Sequence, residues 1–335
     1  MSFIFICTMI IKNIHPTDGQ HCETTTTGTL LRQLDINLSE PMLFGLGEGL
    51  GFYLWDIETM LLPFISGRVR PEIITKNLAR NLKLKLTVSE TVSHDEAWTE
   101  VKELIGNNQI VGLKLDCFYL EYFKRPYHFA EHFVAMYGYD ETDAFLVDTT
   151  QQGGKVKTSL QSLATARAQK GPMGSNHLYF TLDKTEQPFE LETAIVIAIN
   201  NNAANYLQPA NLLEGNNGVR ALSSQIIDWF KAGNDVSAGF KASAKMMEKA
   251  GTGGALFRNL YCDFLKESYE LLQKDELKNA YAAFVEIAKA WNRVSDLFLQ
   301  AAETNEFRYI QEASEELKVI AENEMVAMQQ LSAIR

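Results

Sequence analysis

The chain has 335 residues, 46% of them hydrophobic and 22% charged, which allows two domains and an ordinary apolar core without disulfide or metal staples. Its net charge of −11 argues against a general nucleic-acid binder, which needs clustered Lys and Arg for phosphate, and is compatible with a small cationic substrate. Cys7, Cys22, Cys117 and Cys262 are scattered without a CxxC pair, so the spacing gives no zinc site, no redox motif and no disulfide framework. The expected setting is the reducing cytoplasm.

In chain order, the apolar opening MSFIFICTMII reads as a first strand. It lacks a positive leading region, Lys12 interrupts it, and it is too short for a bilayer. Met9 is as good a start as Met1. Thr17-Asp18-Gly19-Gln20 is turn chemistry, and Cys22 then opens a helical stretch over about 22–34. Four glycines alternate through Phe44-Gly-Leu-Gly-Glu-Gly-Leu-Gly-Phe52. They signal tight backbone packing or close ligand approach, with Gly47, Glu48 and Gly49 as candidates for a pocket wall. Their spacing is not a dinucleotide fingerprint.

Helices are expected at 70–83 and 93–106 and a buried strand from Ile110 to Cys117. Residues 132–139 and 144–148 read as a β-hairpin, followed by a polar loop with Gly153 and Gly154, a helix near 158–169 and a strand near 177–182. After Asp183 the apolar spacing turns helical, over about 189–206, 218–231, 236–249, 256–273, 275–302 and 306–333. The expected fold is an α+β domain over 1–185 followed by an all-α helical domain over 186–335, a lid, a substrate-binding element or a dimerisation surface that could make a homodimer.

The chemistry concentrates in the first domain. A thiol attacks as thiolate, and a helix N-terminus and a neighbouring imidazolium both favour that form. Cys22 stands at the expected helix start. His132 opens one hairpin strand and Asp148 ends the other, so a carboxylate can orient the imidazole toward the thiol. A strict two- or four-residue loop would put Asp148 on the wrong face, whereas an odd loop or a bulge puts both on one face. The plainer reading of His132 is a satisfied core histidine, and Cys117 fits a buried inert thiol.

His128-Phe-Ala-Glu131-His132 matches a zinc-peptidase pattern, but that chemistry needs a helix, and a β-type run follows His132 at once. Arg68, Arg70, Lys76, Arg80, Lys83 and Lys85 form a basic run with Glu72 as its one acid. It is a solvated helix face or a dock for an acidic partner.

Gln20-His21-Cys22-Glu23-Thr24-Thr25, Leu38-Ser-Glu-Pro-Met42, the glycine run, Leu115-Asp116 through Leu120, and His132-Phe-Val through Asp140 resemble the N-terminal domain of the butirosin-biosynthesis acyltransferase family. Gly251-Thr-Gly-Gly-Ala-Leu-Phe-Arg258-Asn-Leu-Tyr261 resembles the helical domain that accompanies it. The resemblance implies a papain-like, cysteine-peptidase-like fold. It implies acyl transfer in bacterial secondary metabolism, such as antibiotic biosynthesis, from a carrier-protein or pantetheine thioester to an amine such as an aminosugar or polyamine. Cys22 would take the acyl group, His132 would be the base and Asp148 would orient it.

No bound cofactor is implied, since the donor brings its own phosphopantetheine, and no nucleic acid or membrane partner is expected. Pro16 stands where papain-like enzymes usually carry an oxyanion-hole Gln, leaving Gln20 or backbone N–H groups for that task. Asp116 and Arg258 are further pocket candidates, Arg258 for a phosphate or carboxylate or else for an interdomain salt bridge, and the sequence assigns no place at the site to Arg220. A peptidase or amidase using water, and a non-catalytic binding protein on this scaffold, are the competing readings.

Overall fold

The computed structural model describes residues 8–57, 60–171, 173–233 and 236–335, so Cys7 and most of the expected first strand lie outside the described residues. The elements begin with β1 (Met9–Ile10), α1 (Cys22–Gln33), α2 (Glu40–Leu46), β2 (Leu50–Trp55), β3 (Phe64–Arg68) and α3 (Ile73–Asn81). They continue with β4 (Lys85–Ser89), α4 (His94–Gly106), β5 (Val111–Leu115), β6 (His132–Tyr139), β7 (Asp143–Val147), β8 (Lys155–Ser159), α5 (Leu160–Arg167) and β9 (Tyr179–Asp183). Six helices follow: α6 (Leu191–Leu207), α7 (Gly215–Ala232), α8 (Val236–Lys249), α9 (Arg258–Leu272), α10 (Asp275–Thr304) and α11 (Phe307–Leu331).

These elements form two compact units. One joins the chain up to Glu40 with Lys83–Pro188, and the other joins Pro41–Leu82 with Phe189–Arg335. In the first, an antiparallel sheet runs β4-β9-β5-β6-β7-β8, with β1 added to β6. β5 is buried along its whole length, as its apolar run requires. Helix α1 packs against β6, and every residue from Cys22 to Leu31 is buried. Its sequence, with five threonines and a glycine in twelve residues, is a weak helix former, so tertiary burial rather than propensity maintains it. An α+β unit results, its cysteine at the start of a helix buried against the sheet that carries the histidine.

The β6–β7 hairpin contains the bulge on which the site depends. Ala135 pairs with Val147 and Met136 with Leu146, but Gly138 pairs with Phe145. Tyr137 is the extra residue. Extending the inner register puts Asp148 opposite Val134, two positions from His132 and therefore on its face.

The edge strand β8 is absent from the sequence reading, which begins a helix at 158. Its alternating Lys155 and Lys157 are exposed while Thr158 is buried, the pattern of a charge-protected sheet edge.

The six C-terminal helices appear within a few residues of their expected places. The expected boundary near 185 requires a correction, because residues 41–82 pack with the helices instead of the sheet. Phe44 stacks on Phe257 at 5.6 Å and Phe52 on Trp291 at 5.9 Å, and Asn202 donates to the Leu50 carbonyl at 2.7 Å. A Cβ on Gly45 would come within 2.1 Å of the Phe264 ring. The apolar, glycine-rich segment buries its surface against helices distant in sequence, which local pattern cannot show. No helix among the described residues is long and apolar enough to cross a membrane.

Candidate active site

The turn before α1 is fixed by one carboxylate. Glu40 accepts the backbone N–H of Gln20 at 2.9 Å, that of His21 at 2.8 Å and the Thr24 hydroxyl at 2.9 Å. Charge-assisted bonds of this kind are stronger than neutral ones. Gly19 makes the close approach feasible, because a Cβ there would come within 2.3 Å of Thr25 Oγ1 and 2.8 Å of Glu40. The Gly19 carbonyl accepts both the N–H and the hydroxyl of Thr150, at 2.9 and 3.1 Å. The turn carrying Cys22 is thereby tied to the segment just beyond Asp148. Thr25 N–H donates to His21 O as the first intrahelical bond, so the Cys22 N–H has no acceptor within the helix and lies at its positive end.

Cys22, His132 and Asp148 meet at this turn. His132 Nε2 lies 2.8 Å from Asp148 Oδ2, and the Cys22 side chain is close enough to act on the imidazole's charge. With Nε2 engaged by the carboxylate, Nδ1 is the nitrogen left for sulfur. Burial opposes charging His132, but the Asp148 carboxylate and then the Cys22 side chain outweigh it and hold the pKa well above the usual imidazole value. Phe123 meets the His132 ring edge-on at 5.5 Å, fixing its plane.

Asp148 is satisfied on both oxygens, with Thr149 N–H on Oδ1 at 2.6 Å and the Tyr122 hydroxyl on Oδ2 at 2.8 Å. Burial and then the Asp148 charge push the Tyr122 pKa up, so its phenol stays a donor. Cys22 is 8% exposed, against 0% for Cys117. Burial pushes the Cys117 thiol up to about 12, and its Sγ–H donates to Tyr127 O at 3.3 Å, in keeping with an inert thiol.

The other residues singled out from sequence fall elsewhere. Gln20 is exposed on the Cys22 turn, held through its backbone. Asp116 is buried and caps its own loop, accepting the N–H groups of Phe118 and Phe129 and lying 2.9 Å from His128 Nδ1. His128 also stacks on Phe118 at 3.9 Å, while His132 opens a strand. The zinc-peptidase pattern therefore has no helix to stand on.

In the second unit, Glu48 accepts Arg80, Asn81 and Asn201. Cβ atoms on Gly47 and Gly49 would strike Ile74 and Phe44 at 2.5 and 2.6 Å, so packing accounts for these glycines. Arg258 is fully buried, its Nε 2.7 Å from Glu324, and Arg220 pairs with Glu322 at 3.0 Å. The basic run is largely spent internally: Arg70 on Glu214, Lys76 on Glu72, Arg80 on Glu48, and Lys83 on the Pro188 carbonyl. Sequence reasoning gave no role to Glu40 or Tyr122. Glu40 lies inside the Leu38–Met42 stretch, and only the fold shows what it binds.

Comparison with known families places residues 21–149 in "Butirosin biosynthesis protein H, N-terminal" and residues 161–331 in "Domain of unknown function (DUF4872)". Cys22, His132 and Asp148 all fall within the first match. A search of curated proteins finds no match. A solved structure described as a C39-like peptidase from Bacillus anthracis overlaps 54% of this chain and 100% of its own, with 14% identity and a TM-score of 0.37. At that similarity the reading of the site rests on its own geometry and on the family matches. The DUF4872 match spans just over half of the 335 residues, and the chain belongs to that family, with a segment similar to the butirosin biosynthesis protein H N-terminal domain ahead of it.

Proposed function

We propose that the protein is a cysteine-dependent acyltransferase that moves an acyl group from a thioester donor, through Cys22, to an amine. The observation that carries the reading is the buried Asp148–His132–Cys22 chain, with the imidazole held in its charged form. The Cys22 sulfur attacks the thioester carbonyl, and the oxyanion is received by the Cys22 N–H at the start of α1, with the Gln20 side chain as second donor. Collapse breaks the donor C–S bond, and His132 gives its proton to the departing thiolate. A neutral amine then attacks the acyl-cysteine, and His132 takes the amine's proton as the Cys22 thiolate leaves. The amide is released with the ion pair restored.

Thioester exchange is nearly isoenergetic, so the acyl-enzyme forms without a driving cofactor. The resemblance to the butirosin family favours an amine acceptor over water and a phosphopantetheine-borne donor. The net charge of −11 suits a cationic aminosugar or polyamine. Because the basic run is engaged internally, it offers no argument for a carrier-protein dock, and a small pantetheine thioester is the simpler donor to test. A cytoplasmic setting follows from this donor chemistry.

The test is incubation with an acyl-N-acetylcysteamine thioester, with and without a polyamine, read by mass spectrometry. An acyl adduct on the Cys22 peptide, discharged faster by amine than by buffer and absent in Cys22→Ala, is expected. Amide formation that persists in Cys22→Ala overturns the reading. Discharge by water alone makes the protein a hydrolase.

A further inference from the structure

The connection between β5 and β6 is a long loop fastened to the candidate site. Asp116 closes its base, accepting the N–H groups of Phe118 and Phe129 at 3.0 and 2.9 Å. Two side chains tie its middle to the site. The Tyr122 hydroxyl donates to Asp148 at 2.8 Å, and the Phe123 ring meets His132 edge-on at 5.5 Å. The next four residues, Lys124-Arg125-Pro126-Tyr127, are all exposed. Arg125 is two residues from Phe123, at most ~7.6 Å between Cα atoms, so the loop tip stands beside the residue that contacts the imidazole.

Tyr127 leads from this tip back toward the nucleophile. Its ring packs edge to face with Phe123 at 6.4 Å. The residue is 53% exposed, yet its phenol end lies inward. Burial pushes the phenol pKa up, and Cys117, Cys22 and Asp148 raise it further.

Lys124 and Arg125 make no hydrogen bond or ion pair among the described residues. Every other arginine except the C-terminal Arg335 donates to a backbone carbonyl or pairs with a glutamate. In a chain of net charge −11, two adjacent cations without a counter-ion depart from that pattern. The nearest acid in sequence, Glu121, is turned to β8, where it accepts the Ser159 N–H at 2.8 Å and hydroxyl at 2.9 Å. Pro126 fixes its own φ and biases Arg125 toward extended backbone. That restraint lowers the entropy lost when the pair takes a ligand.

We infer that Lys124 and Arg125 bind the phosphate of a phosphopantetheine thioester whose acyl carbonyl is presented to Cys22, with the arm lying along Tyr127. The inference rests on the acyl-transfer reading above and names the donor by its anionic end. A guanidinium offers a phosphate two parallel N–H donors, and the adjacent ammonium adds a point charge. The phosphate takes no part in the bond changes. The Cys22–acyl bond forms, the donor C–S bond breaks, and the phosphopantetheine thiol leaves with the proton from His132.

The test compares S-butyryl-phosphopantetheine with S-butyryl-pantetheine, which lacks only the phosphate. The rate constant for acylation of Cys22 in the full chain is read by mass spectrometry over a range of donor concentrations. The phosphorylated donor should be favoured at least about tenfold, and the preference should shrink as salt is raised. Lys124→Ala combined with Arg125→Ala should bring the ratio of the two donors close to one. A structural effect of the substitutions would lower both donors together and leave the ratio. A wild-type ratio near one, or a ratio that survives in the double variant, overturns the phosphate site and leaves the role of Cys22 standing. Failure of both donors to acylate Cys22 overturns the site together with the acyl-transfer reading.

Discussion

Each unit buries a charged network, and the two are finished differently. In the second unit Glu324 accepts Arg258, the Trp291 indole N–H and the Tyr206 hydroxyl, while Arg258 also donates to the carbonyls of Gly67 and Leu256. The charges match and the polar groups face one another, so the network ends within itself. In the first unit the chain runs from Tyr122 to Asp148 to His132 and stops at Cys22, a residue 8% exposed. A saturated buried network holds a fold, whereas one that ends in a thiol beside an imidazole suits the proposed chemistry. Burial alone does not separate the two cases; the last group in the chain does.

Replacing Asp148 by Asn breaks the first network at its largest effect. Asp148 is the main influence raising the His132 pKa, so the variant should bring that value down toward the ordinary ~6.5. Acyl transfer should fall by about 10²- to 10⁴-fold. Cys22 alkylation by iodoacetamide at pH 6 should be faster in the wild type than in this variant. The sign follows from a raised histidine pKa. The pair's contribution to stability is complete below about pH 6.5 and is lost as pH rises through the folded-state value. An NMR titration of the His132 ring that shows no fall in Asp148→Asn would remove the carboxylate from the mechanism.

The saturated network should fail in stability instead. Glu324→Gln leaves the Arg258 charge buried without its counter-ion, a cost of about 3–5 kcal/mol. Replacing both, as Arg258→Met with Glu324→Leu, should cost much less, because neither charge is then stranded. Urea unfolding of the single and double variants measures the difference. A single variant within about 0.5 kcal/mol of wild type would mean that the pair carries no structural weight.

How legible each network was in the sequence follows from the distances its contacts span. The order of Cys22, His132 and Asp148, the turn before a helix and the hairpin were all readable, because each is local pattern. Whether Asp148 faces His132 was not, since it turns on the single extra residue at Tyr137, which no residue type announces. The six C-terminal helices were readable from periodicity. The place of residues 41–82 was not, because Gly45 against Phe264 and Asn202 on Leu50 are contacts across more than 150 residues. Glycine spacing states that something is close without saying what. Arg258 was open between a ligand and a salt bridge until Glu324, 66 residues on, was placed beside it.

The smallest effect is the most diagnostic of how the first network works. Tyr122 touches neither Cys22 nor His132 in any hydrogen bond among the described residues; it donates only to the Asp148 oxygen that also meets His132. It is therefore a positioning residue. Tyr122→Phe removes one bond to a charged acceptor, worth about 1.5–3 kcal/mol in general, and leaves the ring in place. Asp148 Oδ2 then belongs to His132 alone, so the His132 pKa should rise slightly rather than fall, while turnover drops about tenfold from a less restrained carboxylate. A structural role alone would lower the unfolding midpoint and leave the histidine titration unmoved. The His132 titration and the turnover number, measured together on this one variant, distinguish a carboxylate that is held for the imidazole from one that is merely buried beside it.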